Sequence, residues 1–159
     1  MINKEIVNWN PKWILEKFNN KNDYKKGVSY FRKEFKGNLL TNVGINEMAK
    51  LIAGTGAVKY DNANAFLAVG TSSTVASATN TSLTNEVRKA MDIGFPTNGA
   101  SQQITWRSTF GIADANQAWN EFGVYNHASA GVLLNRKVSG QGIKVAGQIW
   151  QLTLEITFS

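Results

Sequence analysis

The sequence predicts a mainly β protein: an antiparallel β-sandwich or jelly-roll-like body with one amphipathic helix and an extended N-terminal arm. First, apolar and polar residues alternate along the C-terminal half, as half-buried antiparallel strands require. The alternation is clearest at the C terminus, at Trp150, Leu152, Leu154, Ile156 and Phe158. Second, turn-forming sequences separate short apolar segments, which is typical of sandwiches and barrels. Third, one segment has helical periodicity. We therefore divide the chain into an arm, 1–37, and a body, 38–159.

Most of the positive charge lies in the arm. The 159-residue chain has a net charge of +6, and residues 1–38 hold nine basic and four acidic side chains. Large apolar side chains are interleaved with these lysines. A purely solvated tail would not carry so many large apolar side chains, which favours an arm that binds a partner. We expect the following arm residues to bind a partner: Trp9, Trp13, Ile14, Phe18, Tyr24, Tyr30, Phe31 and Phe35. We favour an acidic protein surface over nucleic acid as the partner of the arm.

Two elements are predicted inside the arm. Asn10 suits a helix N-cap and Pro11 suits the first helical position, which predicts two helical turns over 12–18. Trp13, Ile14 and Phe18 would then cluster on one side. Residues 28–35 alternate loosely and are predicted to form a strand.

The body begins with a helix predicted over about 42–53. Thr41 or Asn42 can cap its start, and Gly54 suits its C-terminal cap. Its predicted buried face consists of Ile45, Met48, Ala49 and Ile52, spaced as one face of an amphipathic helix. Glu47 and Lys50 are expected on the opposite, solvated side.

Short strands and turns follow the helix. A polar loop is expected over 71–81 and a helical turn over 82–86, and Asn98-Gly99 indicates a hairpin. The predicted strands are 66–70, 87–94, 103–110, 119–126, 132–138 and 150–158.

The residue inventory argues against catalysis. The chain has no cysteine and one histidine, His127, which lies in a turn-like sequence and is expected to be exposed. One histidine cannot make a typical zinc site. No spacing suggests the paired carboxylates that a glycosidase needs, and the Gly-rich turns lack the Lys-Ser/Thr ending of a phosphate-binding loop. We expect no enzymatic activity, no cofactor and no metal. No apolar stretch approaches the length of a membrane helix, about 20 residues.

Glu121 is the exceptional carboxylate, because it lies on a strand among aromatic residues. A buried glutamate needs a cationic partner, and either Arg107 or Arg136 could supply it. We expect a structural ion pair here and not a catalytic acid.

Four blocks of the body, in order, resemble small structural proteins of tailed-phage particles. The first is Asn38–Gly44 with Met48–Gly54, and the second is Leu67–Thr71 with Leu83–Arg88. The third is the strand Trp119–Asn126. The fourth is Leu133–Val138 with Lys144 and the alternating C-terminal end. The resemblance covers about 38–159 and does not include the arm.

The resemblance implies a non-enzymatic virion component, of the kind described as tail-fibre, collar or capsid-associated proteins. The compact body with its adhesive arm favours a capsid decoration protein. We expect a homotrimer on the capsid surface, bound to the major capsid protein or other virion proteins. The alternative is a tail-fibre, collar or adaptor component, with receptor or glycan binding through an exposed aromatic such as Trp119 or Tyr125.

Overall fold

Two antiparallel five-stranded sheets form the protein in a computed structural model that describes residues 6–159. Sheet A has the order β2-β1-β10-β7-β6, and sheet B has the order β3-β9-β8-β4-β5. The strands of sheet A are β1 (Trp9–Phe18), β2 (Phe31–Lys36), β6 (Thr97–Asn98), β7 (Gln103–Phe110) and β10 (Ile149–Phe158). Those of sheet B are β3 (Leu39–Leu40), β4 (Phe66–Gly70), β5 (Val87–Ala90), β8 (Glu121–Tyr125) and β9 (Leu133–Val138). The helices are α1 (Lys21–Lys26) and α2 (Asn42–Ala53). The predicted mainly β class is confirmed.

The two sheets share one aromatic core. Trp13 of β1 and Phe122 of β8 meet across it with ring centroids 5.7 Å apart. Trp119 packs edge-on against Trp150 of β10, at 4.8 Å. Edge-to-face rings add a favourable electrostatic contact to the burial of their apolar area. The inner faces of both sheets are therefore joined by large rings into a single core. Because Trp119 is 0% and Tyr125 1% exposed, the expectation that either is an exposed aromatic for glycan binding is wrong.

The N-terminal segment is part of the sandwich. β1 pairs with β10 along its whole length, from Trp9 opposite Phe158 to Phe18 opposite Ile149, and pairs with β2 on its other side. The prediction of an extended arm is therefore wrong for residues 9–36, because their apolar side chains complete their own core. Residues 1–5 of the predicted arm lie outside the described residues.

The helix predicted over 12–18 is wrong for the same reason. Alternate β1 side chains, including Trp13, Leu15 and Lys17, are buried, which is a strand pattern. Pro11 lies one residue beyond the last β1–β2 pair, Lys12 with Lys36, so its missing N–H removes no bond from that ladder.

Helix α2 has the predicted bounds but buries a different face. Thr41 Oγ1 accepts a hydrogen bond from Gly44 N at 2.9 Å and caps the start. Gly44 and Glu47 are buried, whereas Ile45 and Ile52 are exposed. A Cβ at Gly44 would overlap the Leu134 carbonyl of β9. This close approach turns the Gly44 side of the helix inward and leaves Ile52 in solvent.

The sheet edges are short or charged. β3 and β6 have two residues each and β5 has four. β2 is longer, but Arg32, Lys33, Glu34 and Lys36 are all exposed along it. Charged and short edge strands hinder pairing with strands of other chains.

Candidate functional site

Three of the eight residues predicted to bind a partner lie in the core. Trp13 is 0% exposed, Phe18 is 4% exposed and Phe35 is 8% exposed. Trp13 stacks on Phe35 with centroids 6.3 Å apart, and Phe18 packs edge-on against Tyr24. Because these rings are already buried within one subunit, the prediction that they anchor a partner is wrong.

The other five residues keep some exposed surface. The half-buried members are Trp9, Ile14, Tyr24 and Phe31. Trp9 packs edge-on against Phe158, and its Nε1 donates to Asn38 Oδ1 at 2.8 Å. Tyr30 is 48% exposed. Of the predicted set, Tyr30 therefore offers the most surface to a partner.

Glu121 forms a buried ion pair with Arg136, one of its two predicted partners. Arg136 Nε lies 2.7 Å from Glu121 Oε2, and the two side chains are 4% and 0% exposed. Glu121 Oε1 also accepts from the backbone N–H groups of Ser72 and Thr84. The remaining guanidinium nitrogens of Arg136 donate to Thr74 O, Val75 O and Asn80 Oδ1. The pair thus holds the polar loop 71–86 against sheet B.

The other predicted partner, Arg107, is engaged elsewhere. Its Nε donates to Asp92 Oδ2 at 2.9 Å, in a partly exposed pair. Asp92 also accepts from the backbone N–H and the hydroxyl of Thr109. This group fastens the β5–β6 connection to β7.

Two glycines mark close contacts near the same ion pair. A Cβ at Gly70 would lie 2.6 Å from Glu121 Oε1 and 2.7 Å from Thr84 O. A Cβ at Gly123 would lie 2.7 Å from Asn135 O. Real Cβ atoms do not approach other atoms this closely, so both positions favour glycine. Gly70 and Gly123 are therefore determinants of the fold of sheet B.

An exposed apolar surface lies where three connections meet at one end of the sandwich. We call it the loop-end patch and define it as Tyr30, Ile112, Ile143 and Val145, which are 48%, 49%, 67% and 52% exposed. Gln148 joins two of them: its Nε2 donates to Tyr30 Oη at 3.2 Å and its Oε1 accepts from Val145 N at 3.3 Å. Ile112 O accepts from Gly147 N, and Ile143 pairs with Ala118. Clustered exposed apolar side chains are typical of interaction surfaces.

A pocket of about 330 Å³, which we call the α2 pocket, lies between α2 and the far end of sheet A. Its walls are almost entirely apolar. Trp106 and Tyr60 form part of the lining, and Trp106 Nε1 donates to Tyr60 O at 3.0 Å. Tyr60 Oη in turn donates to Val132 O at 3.1 Å. The polar atoms of both rings are therefore hydrogen-bonded to backbone carbonyls of the same chain, and the rings expose mainly carbon atoms to the pocket.

Two buried lysines serve the structure of the loop end. Lys144 Nζ donates to Gly111 O at 2.7 Å and Asn116 Oδ1 at 2.9 Å. Lys17 Nζ donates to Gln141 O at 2.6 Å and lies 4.1 Å from the centroid of the Trp150 ring. Burial lowers the pKa of both ammonium groups. Both fix connections that carry the loop-end patch.

Two further titratable groups form local structural contacts. His127 is exposed, as predicted, and its Nδ1 accepts from the backbone N–H groups of Ser129 and Ala130. Glu47, expected in solvent, is buried: its Oε1 accepts from Val58 N and Asn126 Nδ2. Across residues 6–159, no group of three or more acidic or histidine side chains is placed to hold a metal ion.

Tyr60 and Tyr125 should resist ionisation in the folded protein. Burial raises the pKa of both phenols above their usual range, and nearby Glu47 and Glu86, respectively, raise it further. Unfolded tyrosines ionise near pH 10, so the stabilisation from these two groups is complete below about pH 10 and is lost as the pH rises further.

The check is tyrosinate absorbance immediately after a jump to about pH 11, above the ordinary tyrosine pKa. Replacing both Tyr60 and Tyr125 with phenylalanine should leave the native signal unchanged. In denaturant it should halve the signal, because the chain has 4 tyrosines. A matching drop in the native signal would show that these phenols are accessible.

The fold and surface thus define an antiparallel two-sheet β protein with an apolar patch at its loop end and an apolar pocket beside α2. No protein-family model, curated protein or solved structure matches the chain. In the described part of the chain, neither helix is long and apolar enough to cross a membrane.

Proposed function

We propose that the protein is a non-enzymatic structural subunit of a phage particle, and that it assembles through the loop-end patch. The carrying observation is that three connections, joined by hydrogen bonds and held by buried lysines, present four exposed apolar side chains at one end of the sandwich. The favoured form is a capsid decoration protein on the capsid surface, a homotrimer that contacts the major capsid protein. The alternative is a tail-fibre, collar or adaptor subunit.

Two further observations support an assembly role. The buried ionisable side chains Glu121, Arg136 and Lys144 form hydrogen bonds that hold loops in place. They are therefore poorly placed to act on a substrate. The sequence blocks around Glu121 and Arg136 also resemble phage structural proteins. Rigid loops that present apolar side chains lose little conformational entropy when they bind a partner.

A charge placed in the loop-end patch should weaken self-association. Replacing Ile143 or Val145 with aspartate puts a carboxylate into an apolar contact, so we expect the dissociation constant of the oligomer to rise at least tenfold, about 1.4 kcal/mol. Light scattering coupled to size-exclusion chromatography over a range of protein concentrations measures this change.

The matched control is Ile93→Asp, a substitution at a 99% exposed isoleucine outside the patch. It should leave the oligomer intact. A wild-type chain that stays monomeric at all concentrations, or an equal loss in the control, would contradict assembly through this patch.

Copy number in purified particles separates the two forms of the proposal. A decoration protein should be present at hundreds of copies per particle, of the same order as the major capsid protein. A tail or collar subunit should be present at a few copies. Quantitative mass spectrometry of particles gives the ratio, and absence of the chain from particles would contradict both forms.

A further inference from the structure

We propose that the α2 pocket binds a small amphiphile with an apolar body and one anionic group. The proposal is independent of the assembly role, because the pocket and the loop-end patch share no residue. Three properties of the pocket carry it: the chemistry of its walls, its size and the charge at its rim.

The walls offer water few hydrogen-bond partners. The indole N–H groups of Trp9 and Trp106 donate to Asn38 Oδ1 and Tyr60 O, respectively, and are not free for a ligand. The rest of the apolar lining includes Met48, Leu51 and Ile104. Apolar cavities of this kind gain little from holding water and take up apolar molecules instead.

The size limits the ligand. An engineered apolar cavity of about 150 Å³ holds one benzene molecule, so a pocket of about 330 Å³ has room for two rings or a medium-length alkyl chain. This volume is at the lower end of small-molecule sites, which start at about 300 Å³.

The rim favours an anion. Lys59 is exposed there, and among residues 6–159 it forms neither a salt bridge nor a side-chain hydrogen bond. The neighbouring Asp61 keeps its negative charge, but its Oδ1 accepts from Asn64 N and Asn64 Nδ2 and, among the described residues, it forms no salt bridge with Lys59, so the ammonium group is available to an anion. The net charge of +6 adds a general attraction for anions. An apolar side chain of a partner protein would fill the walls but leave Lys59 unmatched, so the anionic amphiphile is favoured.

Titration of the full chain with 8-anilinonaphthalene-1-sulfonate, which has two aromatic systems and one sulfonate, tests the proposal by fluorescence. We expect saturable binding of one molecule per chain, displaced by decanoate. Leu51→Trp, which fills the pocket, should weaken binding at least tenfold. Lys59→Gln should weaken it three- to tenfold, whereas Lys25→Gln, at an exposed lysine of α1, should have no effect.

Two further variants keep the result interpretable. Thr97→Trp narrows the rim from an exposed position, so it should weaken binding at least threefold even if Leu51→Trp does not fold. Ile143→Asp should retain full binding, since the loop-end patch is not the site. Unchanged affinity in folded Leu51→Trp and Thr97→Trp would overturn the proposal. Failure of decanoate to displace the probe would also overturn it and favour a protein side chain as the occupant.

Discussion

A chain that begins at residue 38 is expected not to fold. The truncation removes β1, which lies between β10 and β2 and pairs with β10 over ten residues. It also removes Trp13, Leu15 and Phe35 from the core. A sandwich that loses an interior strand of sheet A and these side chains exposes part of the inner face of sheet B to water. At about 2–5 kcal/mol for each large core side chain, the loss is comparable to the whole 5–15 kcal/mol that stabilises an ordinary domain.

Circular dichroism and the dispersion of amide signals in an NMR spectrum measure the outcome. The control is a chain that begins at residue 8, which should remain folded because Ile6 and Val7 are exposed. Within the full chain, Trp13→Ala should lower the free energy of unfolding by about 3–5 kcal/mol. A cooperative thermal transition in the 38–159 chain would show that the segment is an appendage after all.

Breaking the buried ion pair should have the second large effect. Arg136→Met leaves the Glu121 carboxylate in a site with 0% exposure and without its cation. Removal of one partner from such a pair costs about 3–5 kcal/mol. It also releases Thr74 O and Asn80 Oδ1, so amide exchange should accelerate over 72–84. Chemical denaturation and hydrogen exchange report the two effects.

The matched control is Arg32→Ala, which breaks an exposed pair with Glu34. Exposed pairs contribute about 0–1 kcal/mol, so little change is expected. Adding Glu121→Gln to Arg136→Met should restore part of the loss, since a neutral amide is cheaper to bury than an unpaired carboxylate. If the free energy of unfolding of Arg136→Met lies within 1 kcal/mol of the wild-type value, which is the range for exposed pairs, then burial of the Glu121 carboxylate does not require Arg136.

Local patterns predicted the body of the fold well. The final strand was predicted over 150–158 and occupies Ile149–Phe158, because alternation is a property of the strand itself. The bounds of α2 followed from Thr41 and Gly54. Its buried face did not, because the close approach of Gly44 to Leu134 depends on a strand about ninety residues later.

The N-terminal segment shows why the rest could not be predicted. Asn10 and Pro11 gave a helix signal, and lysines interleaved with aromatic residues suggested an arm that binds a partner. Yet Trp13, Leu15 and Lys17 alternate as a strand, and this weaker signal could have been used. The decisive partner, β10, lies at the opposite end of the chain, so no local window contains both strands.

The candidate sites likewise include one feature that local sequence predicts and two that depend on distant segments. The ion pair of Glu121 was predictable because a buried carboxylate requires a cation, and two arginines were available. The loop-end patch and the α2 pocket assemble residues from distant segments. Only Tyr30 of the patch and Trp9 of the pocket belonged to the predicted binding set.

The outermost strands decide how copies of this protein can meet. Charges line β2, and the other three boundary strands are four residues long or shorter, so neighbouring copies have no long ladder of free peptide groups to share. Even at high protein concentration, we therefore expect no fibrils formed by pairing of edge strands. Each copy keeps its backbone hydrogen bonding to itself, and recognition is left to side chains, whose contacts can form and separate without any strand being exchanged.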